Sequence, residues 1–462
     1  MVLKLCTLTI LLCIEVVFST TIKEAATGTG LQVGTKIQAG WNRSVDLTQI
    51  ERYPAYESIV LREFDLATIN SCNPRWDIGV NLNTLTVPDM ESQLDFTNCD
   101  YMLQYVRNQS LAFRVHVLNY LRPQRHVTLL DDASFTVEQK TTFLKEYTKV
   151  LLRRIGSDVD TVVVINELME EEAGGGLRNF IDGVNTETEM PTIACDIFKA
   201  AREAKQELIC GTDSSGNAFS CDCANDPSRI RLIYQDYGHS CMAPCNNTFA
   251  EAKDKSGRIY NFVKDLVDQD CGITTVGFQM HINRHYRDFD GLRRNIQRYA
   301  DIGIAVHFTE VDVKCGWTCD SGTYCCGLNM SDPDAAWTQD MLTEQGYVYS
   351  QILTVCLEEP NCEAFVFWDT ADGIAPWSST LPPQNPYLWD INFQNKTAFQ
   401  SVIDTLQNFP RDHSAIDIRT SGSWRNTTCT SGSAGSVQGV ANLTNIFFYF
   451  ITLLPISILF VK

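Results

Sequence analysis

The feature of this sequence that most restricts its fold is the alternation of short apolar runs with longer amphipathic stretches. The short runs are rich in β-branched and aromatic residues and lack a regular polar alternation, which is typical of strands buried on both faces of a parallel sheet. Eight such runs are predicted as strands: residues 31–39, 66–69, 111–118, 159–166, 230–236, 274–281, 304–309 and 364–368.

The stretches that follow these runs carry apolar residues at spacings of three and four, which indicates amphipathic helices. They predict helices over residues 56–64, 101–107, 137–155, 193–204, 250–267, 292–302, 347–357 and 397–406. Eight strand–helix units in succession predict an α/β fold, a (β/α)8 TIM barrel. A doubly wound open sheet is the alternative, but no glycine-rich nucleotide-binding turn follows the first predicted strand.

Two cysteine-rich segments, residues 206–228 and 314–342, interrupt the pattern and are predicted as loop insertions. The chain has eighteen cysteines, of which two, Cys6 and Cys13, lie near its beginning. The other sixteen are an even number, and no histidine stands at metal-ligand spacing beside the clusters. We therefore expect disulfides rather than metal sites.

Both ends of the chain have the composition of targeting segments. Residues 1–20 combine Lys4 with a following apolar run and are predicted to be a signal peptide. Residues 446–461 form an uncharged apolar run, shorter than the roughly 20 residues that span a bilayer. Small residues at 431–435 precede this run, which is the layout of a GPI-anchor signal. A single transmembrane helix is the alternative for this tail.

These features divide the chain into a signal peptide at 1–20, a barrel domain at 21–410, a Ser/Thr/Gly-rich stalk at 411–435 and an anchor tail at 436–462. Six N-glycosylation sequons precede the tail. Their asparagines are Asn42, Asn108, Asn246, Asn329, Asn395 and Asn426. We therefore expect a secreted glycoprotein that is held at the cell surface by a C-terminal lipid anchor.

The charge of the chain excludes one class of partner. It has 37 Lys and Arg residues against 56 Asp and Glu residues, a formal net charge of −19. Nucleic-acid binding needs clustered basic side chains that neutralise phosphates, so no nucleic-acid partner is expected. Neutral polysaccharides, small molecules and proteins remain possible ligands.

Carboxylates follow two predicted strands at the barrel edge that carries reactive groups in such folds. Glu167 comes directly after strand four, while Glu310 and Asp312 follow strand seven and share one face by strand alternation. His281 ends the neighbouring strand six and can bridge the two carboxylates of strand seven. This bridge would orient Glu310 and keep it ionised.

A carboxyl group at each of these strand ends suits a retaining glycosidase, which needs two such groups about 5–5.5 Å apart. In this interpretation Glu167 is the general acid/base and Glu310 is the nucleophile. Trp368 and Trp377, at and after strand eight, offer flat apolar faces for sugar rings. Both chemical steps use only carboxyl groups and water, so neither a metal nor a cofactor is expected.

Six motifs occur at the positions that they have in glycoside hydrolase family 10, the endo-β-1,4-xylanases. The matching segments are Phe-Arg-Val-His at 113–116, Val-Ile-Asn-Glu at 164–167, Ile-Tyr-Gln-Asp-Tyr at 233–237, Gly-Phe-Gln-Met-His at 277–281, Phe-Thr-Glu-Val-Asp at 308–312, and the pair Cys356 and Cys362. The chain resembles this family from about residue 31 to 409. The resemblance implies a retaining endo-β-1,4-xylanase that hydrolyses xylan, with a disulfide between the two cysteines.

The resemblance also implies roles for single residues. Asn166 and Gln279 would hold the reacting sugar, whereas His281 and Asp312 would orient Glu310. Further substrate-binding candidates are His116, Tyr237, Trp368 and Trp377.

The chain departs from the family pattern at positions that bind the substrate in that family. The family normally has Pro-Glu-Asn and then Met-Lys-Trp after strand two, where this chain offers Asn70 and Arg75 as partial replacements. The Trp-His pair that follows strand three is Tyr120-Leu121 here. Two alternatives to a xylanase therefore stand: a hydrolase of another β-glycan with the same machinery, and a catalytically weak glycan-binding surface protein.

Overall fold

The computed structural model describes residues 20–37, 49–70, 72, 90–120, 128–171, 174–212, 229–240, 252–316, 337–373 and 384–421. Within them lie the strands β1 Gln32–Ile37, β2 Leu66–Ile69, β3 Ala112–Val115, β4 Thr161–Asn166, β5 Arg231–Asp236, β6 Thr275–Phe278, β7 Ala305–Lys314 and β8 Cys362–Phe367. All neighbouring pairs are parallel, and β8 pairs with both β7 and β1. The sheet is therefore closed, and the predicted (β/α)8 barrel is confirmed.

The strands lack polar alternation because both of their faces are covered. Every residue of β4 and of β8 is buried. One face of each barrel strand points into the barrel and the other packs against helices. This two-sided burial is the physical reason why continuous apolar runs predicted the strands.

Each of the eight predicted helices overlaps a helix of the structure. The described helices are Ile22–Ala26, Gln49–Arg52, Pro54–Glu63, Met90–Gln93, Thr97–Asn108, Thr128–Asp131, Val137–Ile155, Met190–Cys210, Ala252–Asp268, Phe289–Ala300, Gln339–Glu358, Thr397–Asn408 and Ser414–Ser421. Helix Val137–Ile155 begins as predicted, because Thr136 forms a capping box with Gln139. Two of these helices extend into the predicted insertions, which are therefore shorter than expected.

Strands six and seven differ from their predicted limits. β6 ends at Phe278, and Met280 adopts a left-handed conformation with φ of 59°, so the strand breaks before His281. The chain then forms a short accessory strand, His281–Asn283, which pairs with β7. This pairing supplies backbone partners for the end of β7, which continues to Lys314 instead of ending at residue 309.

A second accessory strand, Asn119–Tyr120, extends β3 and pairs with the end of β4. Asn119 lies opposite Ile165, and Tyr120 lies opposite Asn166. The two accessory strands therefore bring Tyr120 and His281 to the carboxyl ends of the barrel strands, close to the predicted catalytic residues.

Disulfides link Cys72 to Cys99, Cys195 to Cys271 and Cys356 to Cys362. The third is the disulfide implied by the family resemblance, which is thereby confirmed. Cys210 and Cys315 are also disulfide-bonded. Disulfides persist in oxidising compartments, so they agree with an extracellular protein.

Several predicted segments lie outside the described residues, among them residues 1–19, most of both insertions and the tail from 422 onward. Of the six predicted glycosylation sites, Asn108 and Asn395 are described, and both are exposed. No helix in the described ranges is long and apolar enough to cross a membrane.

The last helix among the described residues, Ser414–Ser421, packs on the barrel, although we expected a stalk from residue 411. Its Arg419 is 6% exposed and donates hydrogen bonds to five backbone carbonyl oxygens. These oxygens belong to Thr29, Cys356, Leu357, Glu359 and Cys362. They lie just before or at the starts of β1 and β8, so the helix packs at the amino-terminal end of these strands, and the barrel unit extends to residue 421.

We expect Arg419→Ala to lower the free energy of unfolding by about 3 kcal/mol, because buried carbonyls lose a charged donor. Urea unfolding followed by circular dichroism measures this loss. Arg411→Ala is the matched control, since the exposed Arg411 also donates to two carbonyls, those of Ala25 and Leu406. Equal losses in the two variants would contradict a specific stabilising role of the buried Arg419.

Candidate active site

The two candidate glutamates lie at the carboxyl ends of β4 and β7. Glu167 directly follows β4 and is 8% exposed, and its amide donates to the carbonyl oxygen of Gln235 at 2.8 Å. Glu310 lies within β7 and is 4% exposed, and its amide donates to the carbonyl oxygen of Gln279 at 3.1 Å. Backbone hydrogen bonds to the adjoining strands therefore position both residues.

His281 bridges the two carboxylates of β7, as the sequence predicts. Its Nε2 lies 2.9 Å from Oε2 of Glu310, and its Nδ1 lies 2.8 Å from Oδ2 of Asp312. Burial alone would lower the pKa of His281, but Asp312 and Glu310 outweigh it and raise the pKa to about 9. His281 is therefore an imidazolium at neutral pH and donates from both nitrogens.

The charge of His281 acts differently on its two partners. Burial raises the pKa of Glu310, and the hydrogen bond and charge of His281 oppose this rise. Burial also acts to raise the pKa of Asp312, but the charges of His281 and Lys314 prevail and lower it. Asp312 is thus the permanent counterion that keeps His281 protonated beside Glu310.

Gln235, in β5, connects the two sides of the site. Its side-chain nitrogen donates to Oε1 of Glu310 and lies 3.1 Å from Oδ1 of Asn166 and 3.2 Å from Nδ1 of His116. Gly277 in β6 makes room for it, because a Cβ there would lie 2.9 Å from Cγ of Gln235. The sequence analysis did not select Gln235, although a polar residue in an apolar strand was a usable signal.

Two neutral side chains donate hydrogen bonds to the carboxylate of Glu167. Nε2 of Gln279 donates to its Oε1 at 2.9 Å, and the hydroxyl of Tyr120 donates to its Oε2 at 3.1 Å. The same nitrogen of Gln279 lies 3.3 Å from Oδ1 of Asn166. The structure therefore brings Asn166 and Gln279 together beside Glu167, and it adds Tyr120, which the sequence analysis considered only as a departure in substrate binding.

His116 lies on the other side of Glu310, with its Nδ1 3.7 Å from Oε1 of that residue. Burial and then the charges of Arg114 and Lys36 lower its pKa to about 3, so the ring is neutral. Its Nδ1 lies 3.2 Å from the side-chain nitrogen of Gln235. The site thus contains one charged and one neutral imidazole.

Trp368, directly after β8, covers both histidines. Its ring meets those of His116 and His281 edge-on, with centroid distances of 5.3 Å and 6.2 Å. Nζ of Lys36 lies 4.6 Å from the Trp368 ring centre and 3.5 Å from Oδ2 of Asp369. The sequence analysis missed this fully buried Lys36–Asp369 pair, because β1 and β8 are neighbours only in the closed barrel.

Tyr237 lies beside the loop that follows Glu167. Its hydroxyl donates to Glu171 and accepts from Nη2 of Arg178 at 3.0 Å, and Nζ of Lys255 lies 3.1 Å from its ring centre. Trp377, the other predicted aromatic contact, lies outside the described residues. A substrate contact of either residue stays a prediction.

The geometry gives the two glutamates unlike surroundings within one connected network. Glu310 faces an imidazolium, whereas Glu167 faces an amide and a phenol. Such asymmetry suits a reaction in which one carboxylate attacks and the other carries a proton. Among the described residues, no group of three or more His, Cys, Asp or Glu side chains is arranged to hold a metal ion.

Comparison with known proteins identifies the family of the chain. The family described as "Glycosyl hydrolase family 10" matches residues 21–405. Endo-1,4-beta-xylanase B of Paenibacillus barcinonensis is 28% identical over 278 residues, which cover 54% of this chain and 77% of that protein. A thermostable celloxylanase of Thermoclostridium stercorarium is 26% identical over 331 residues, covering 68% of this chain and 74% of that protein.

Among solved structures, xylanase 10B of Thermotoga petrophila in complex with xylobiose has a TM-score of 0.62 at 20% identity. The alignment covers 84% of this chain and 98% of that one. This likeness supports the fold. Together with the family match over residues 21–405, it leads to one conclusion: the chain belongs to glycosyl hydrolase family 10 and is a glycoside hydrolase.

Proposed function

We propose that this chain is a retaining endo-β-1,4-xylanase with Glu310 as nucleophile and Glu167 as general acid/base. The observation that carries the proposal is the contrast between the two glutamates, since the His281 imidazolium is hydrogen-bonded to Glu310, whereas an amide and a phenol donate to Glu167. The proposal also draws on the xylanase names of the relatives. Family membership alone shows a glycoside hydrolase and leaves the substrate and the residue roles to be tested.

In the first step, Glu310 attacks the anomeric carbon while the glycosidic C–O bond breaks, and Glu167 gives its proton to the departing sugar oxygen. The product is a glycosyl ester on Glu310. In the second step, Glu167 takes a proton from water, and the water oxygen attacks the anomeric carbon and releases Glu310. Both steps use only the two carboxyl groups and water, and Glu167 regains in the second step the proton that it gave in the first.

The surrounding residues take supporting roles in this proposal. His281 and Asp312 orient Glu310 and stabilise its charge before attack and after release. Asn166 and Gln279 hold the reacting sugar in this proposal, and the contacts of Gln279 with Asn166 and Glu167 support that role. Further residues proposed to line the substrate site are His116, Tyr237, Trp368 and Trp377.

A different β-glycan is the second candidate substrate. Tyr120 stands where the family resemblance implies a substrate-gripping tryptophan, and its hydroxyl is bonded to Glu167. Release of reducing sugar from xylan, β-glucan and mannan by one preparation of the full chain would distinguish the substrates. Tight binding to xylan without release would instead indicate a glycan-binding protein.

We also propose that the chain is processed and displayed at the cell surface. The signal peptide at 1–20 is removed, the barrel reaches residue 421, and the remaining stalk leads to the anchor signal in 436–462. The disulfides support passage through an oxidising compartment. The anchor rests on the sequence of the tail alone.

The two glutamates should respond differently to removal. Glu310→Ala should abolish turnover of every substrate, since no other group is proposed to form the glycosyl ester. Glu167→Ala should lose most of its activity on xylan but form the glycosyl ester from an aryl glycoside with an acidic phenol, which needs no proton. Steady-state rates on both substrates measure this difference.

Added azide should restore turnover of the Glu167→Ala variant and yield the β-glycosyl azide, because azide needs no general base. The product anomer is read by NMR. An α-azide, or equal losses on aryl and sugar leaving groups, would show that the two carboxylates are wrongly assigned.

His281→Ala should fold and lose roughly 10²–10⁴-fold in kcat/KM, the usual contribution of a group that handles a proton or charge at the reacting centre. His285→Ala, four residues further on, is the control and should keep its activity. A His281→Ala protein that loses its fold, and no more activity than its folded fraction explains, would identify a structural histidine.

The pKa of His281 can be tested directly by NMR titration. We expect a value of about 9, and a lower one in Asp312→Asn. Because the folded state holds this proton more tightly than the unfolded state, its stabilisation is complete below about pH 6.5 and is lost as the pH rises through about 9. An unchanged titration in Asp312→Asn would contradict the role of that carboxylate.

A phospholipase specific for phosphatidylinositol anchors should release the protein from intact cells, since the tail is too short and too poorly flanked to span a bilayer. Immunoblotting of the medium before and after treatment measures the release. A variant that ends before residue 436 should be found in the medium without treatment. Retention of the treated protein with an intact tail, read by mass spectrometry, would contradict the anchor.

A further inference from the structure

The backbone of Glu167 is held in a conformation that it would not adopt alone. Its φ is 57°, in the left-handed region that side chains with a Cβ disfavour. Such a conformation persists only where surrounding contacts determine it. The amide of Glu167 donates to the carbonyl oxygen of Gln235. A contact to the carbonyl oxygen of Glu167 would hold the other side of the turn.

Arg178 supplies that contact. Its Nε donates to the carbonyl oxygen of Glu167 at 3.0 Å, its Nη1 to Oε2 of Glu170 at 2.9 Å and its Nη2 to the hydroxyl of Tyr237 at 3.0 Å. The side chain is 11% exposed. One planar guanidinium thus joins the turn of Glu167 to the loop after it and to the residue after β5.

The loop after Glu167 folds back so that Arg178 can reach it. The amide of Arg178 donates to the carbonyl oxygen of Leu168 at 2.7 Å, and that of Glu170 donates to the carbonyl oxygen of Gly176 at 3.1 Å. Met169 is held from the other side, because its amide lies 3.1 Å from Oδ2 of Asp236. Leu168 and Glu170 are therefore connected to Arg178 and Gly176, and Met169 is connected to Asp236.

The partners of Arg178 are themselves fixed. Asp236 forms a buried ion pair with Lys255 at 2.8 Å, and Nζ of Lys255 lies 3.1 Å from the ring centre of Tyr237. Neither the phenol that accepts from Arg178 nor the carboxylate that holds Met169 can move without disturbing this pair. The guanidinium consequently has a rigid support on β5.

From these contacts we infer that Arg178 is a positioning residue for Glu167, which acts through the carbonyl oxygen of Glu167 and not through substrate. The inference rests on the proposed role of Glu167 as general acid/base. By fixing the turn, Arg178 sets the direction in which the carboxyl group points toward the glycosidic oxygen. A small displacement of such a group costs rate even when the group itself is retained.

This role predicts a dependence on the leaving group. Arg178→Met should lower kcat on xylan roughly 10- to 100-fold, because proton transfer to a sugar oxygen needs the correct geometry. Formation of the glycosyl ester from a dinitrophenyl β-xylobioside needs no proton, so its rate, measured as the burst of released phenol, should change less than about threefold. A general structural defect would instead lower both rates together.

Two further variants make the test decisive. Arg178→Lys keeps a buried charge beside Glu170 but cannot reproduce the planar fork, so it should show the same preferential loss on xylan even if Arg178→Met does not fold. Arg153→Met is the control: Arg153 donates from Nε and Nη2 to the carboxylate of Glu207 on the barrel surface, away from Glu167. It should leave both rates unchanged.

Glu167→Ala, measured in the same assay, distinguishes a failure of the Arg178 positioning role from a failure of the general acid/base role of Glu167. If Glu167→Ala shows the leaving-group dependence and the Arg178 variants lose both rates equally or lose neither, the positioning role is wrong and the proposed function stands. If Glu167→Ala itself loses both rates equally, the assignment of Glu167 is wrong and the inference fails with it. A preferential loss of the rate on xylan, in Glu167→Ala and in the Arg178 variants alike, supports the positioning role of Arg178.

Discussion

The active site depends on one ion pair network, the imidazolium of His281 between Glu310 and Asp312. Two carboxylates on one face of a buried strand repel each other, and burial increases the cost. With Nε2 and Nδ1 of His281 at 2.9 Å and 2.8 Å from the two acids, one positive charge serves both. This neutralisation lets β7 continue through its acids, and the break at Met280 brings His281 alongside them.

The remaining polar groups extend this arrangement across the barrel. Gln235 from β5 contacts Glu310 and Asn166, and Gln279 contacts Asn166 and Glu167. These amides donate hydrogen bonds to both carboxylates and connect them through Asn166. The polar groups are therefore oriented before substrate binds, which is the condition for strong electrostatic stabilisation of a transition state.

Two arginines support the barrel in the same physical way at opposite ends. Arg178 holds the carbonyl oxygen of Glu167 at the catalytic end, and Arg419 holds five carbonyl oxygens at the other. An arginine has five donors and no acceptor, so it can satisfy several backbone oxygens that lie outside regular hydrogen-bonded structure. Each arginine therefore fixes a segment that the barrel strands alone leave without partners.

Much of this structure follows from the sequence alone. Eight apolar runs followed by amphipathic stretches predict the barrel, because strands covered on both faces need apolar residues throughout. Glu167, Glu310, Asp312 and His281 are predictable because they end or follow such runs, and the family motifs add Asn166 and Gln279. The disulfide between Cys356 and Cys362 is predictable on the same resemblance.

Only the tertiary structure shows the contacts of Gln235 and Arg178, the Lys36–Asp369 pair, and the packing of Arg419, which lies in a segment expected to be a stalk. Gln235, Lys36 and Arg419 meet partners that are distant in sequence, and Arg178 joins its own loop to Tyr237 after β5. Sequence patterns record which residues are buried and in what order the strands occur. Which buried polar groups satisfy one another is decided by the closed geometry of the barrel.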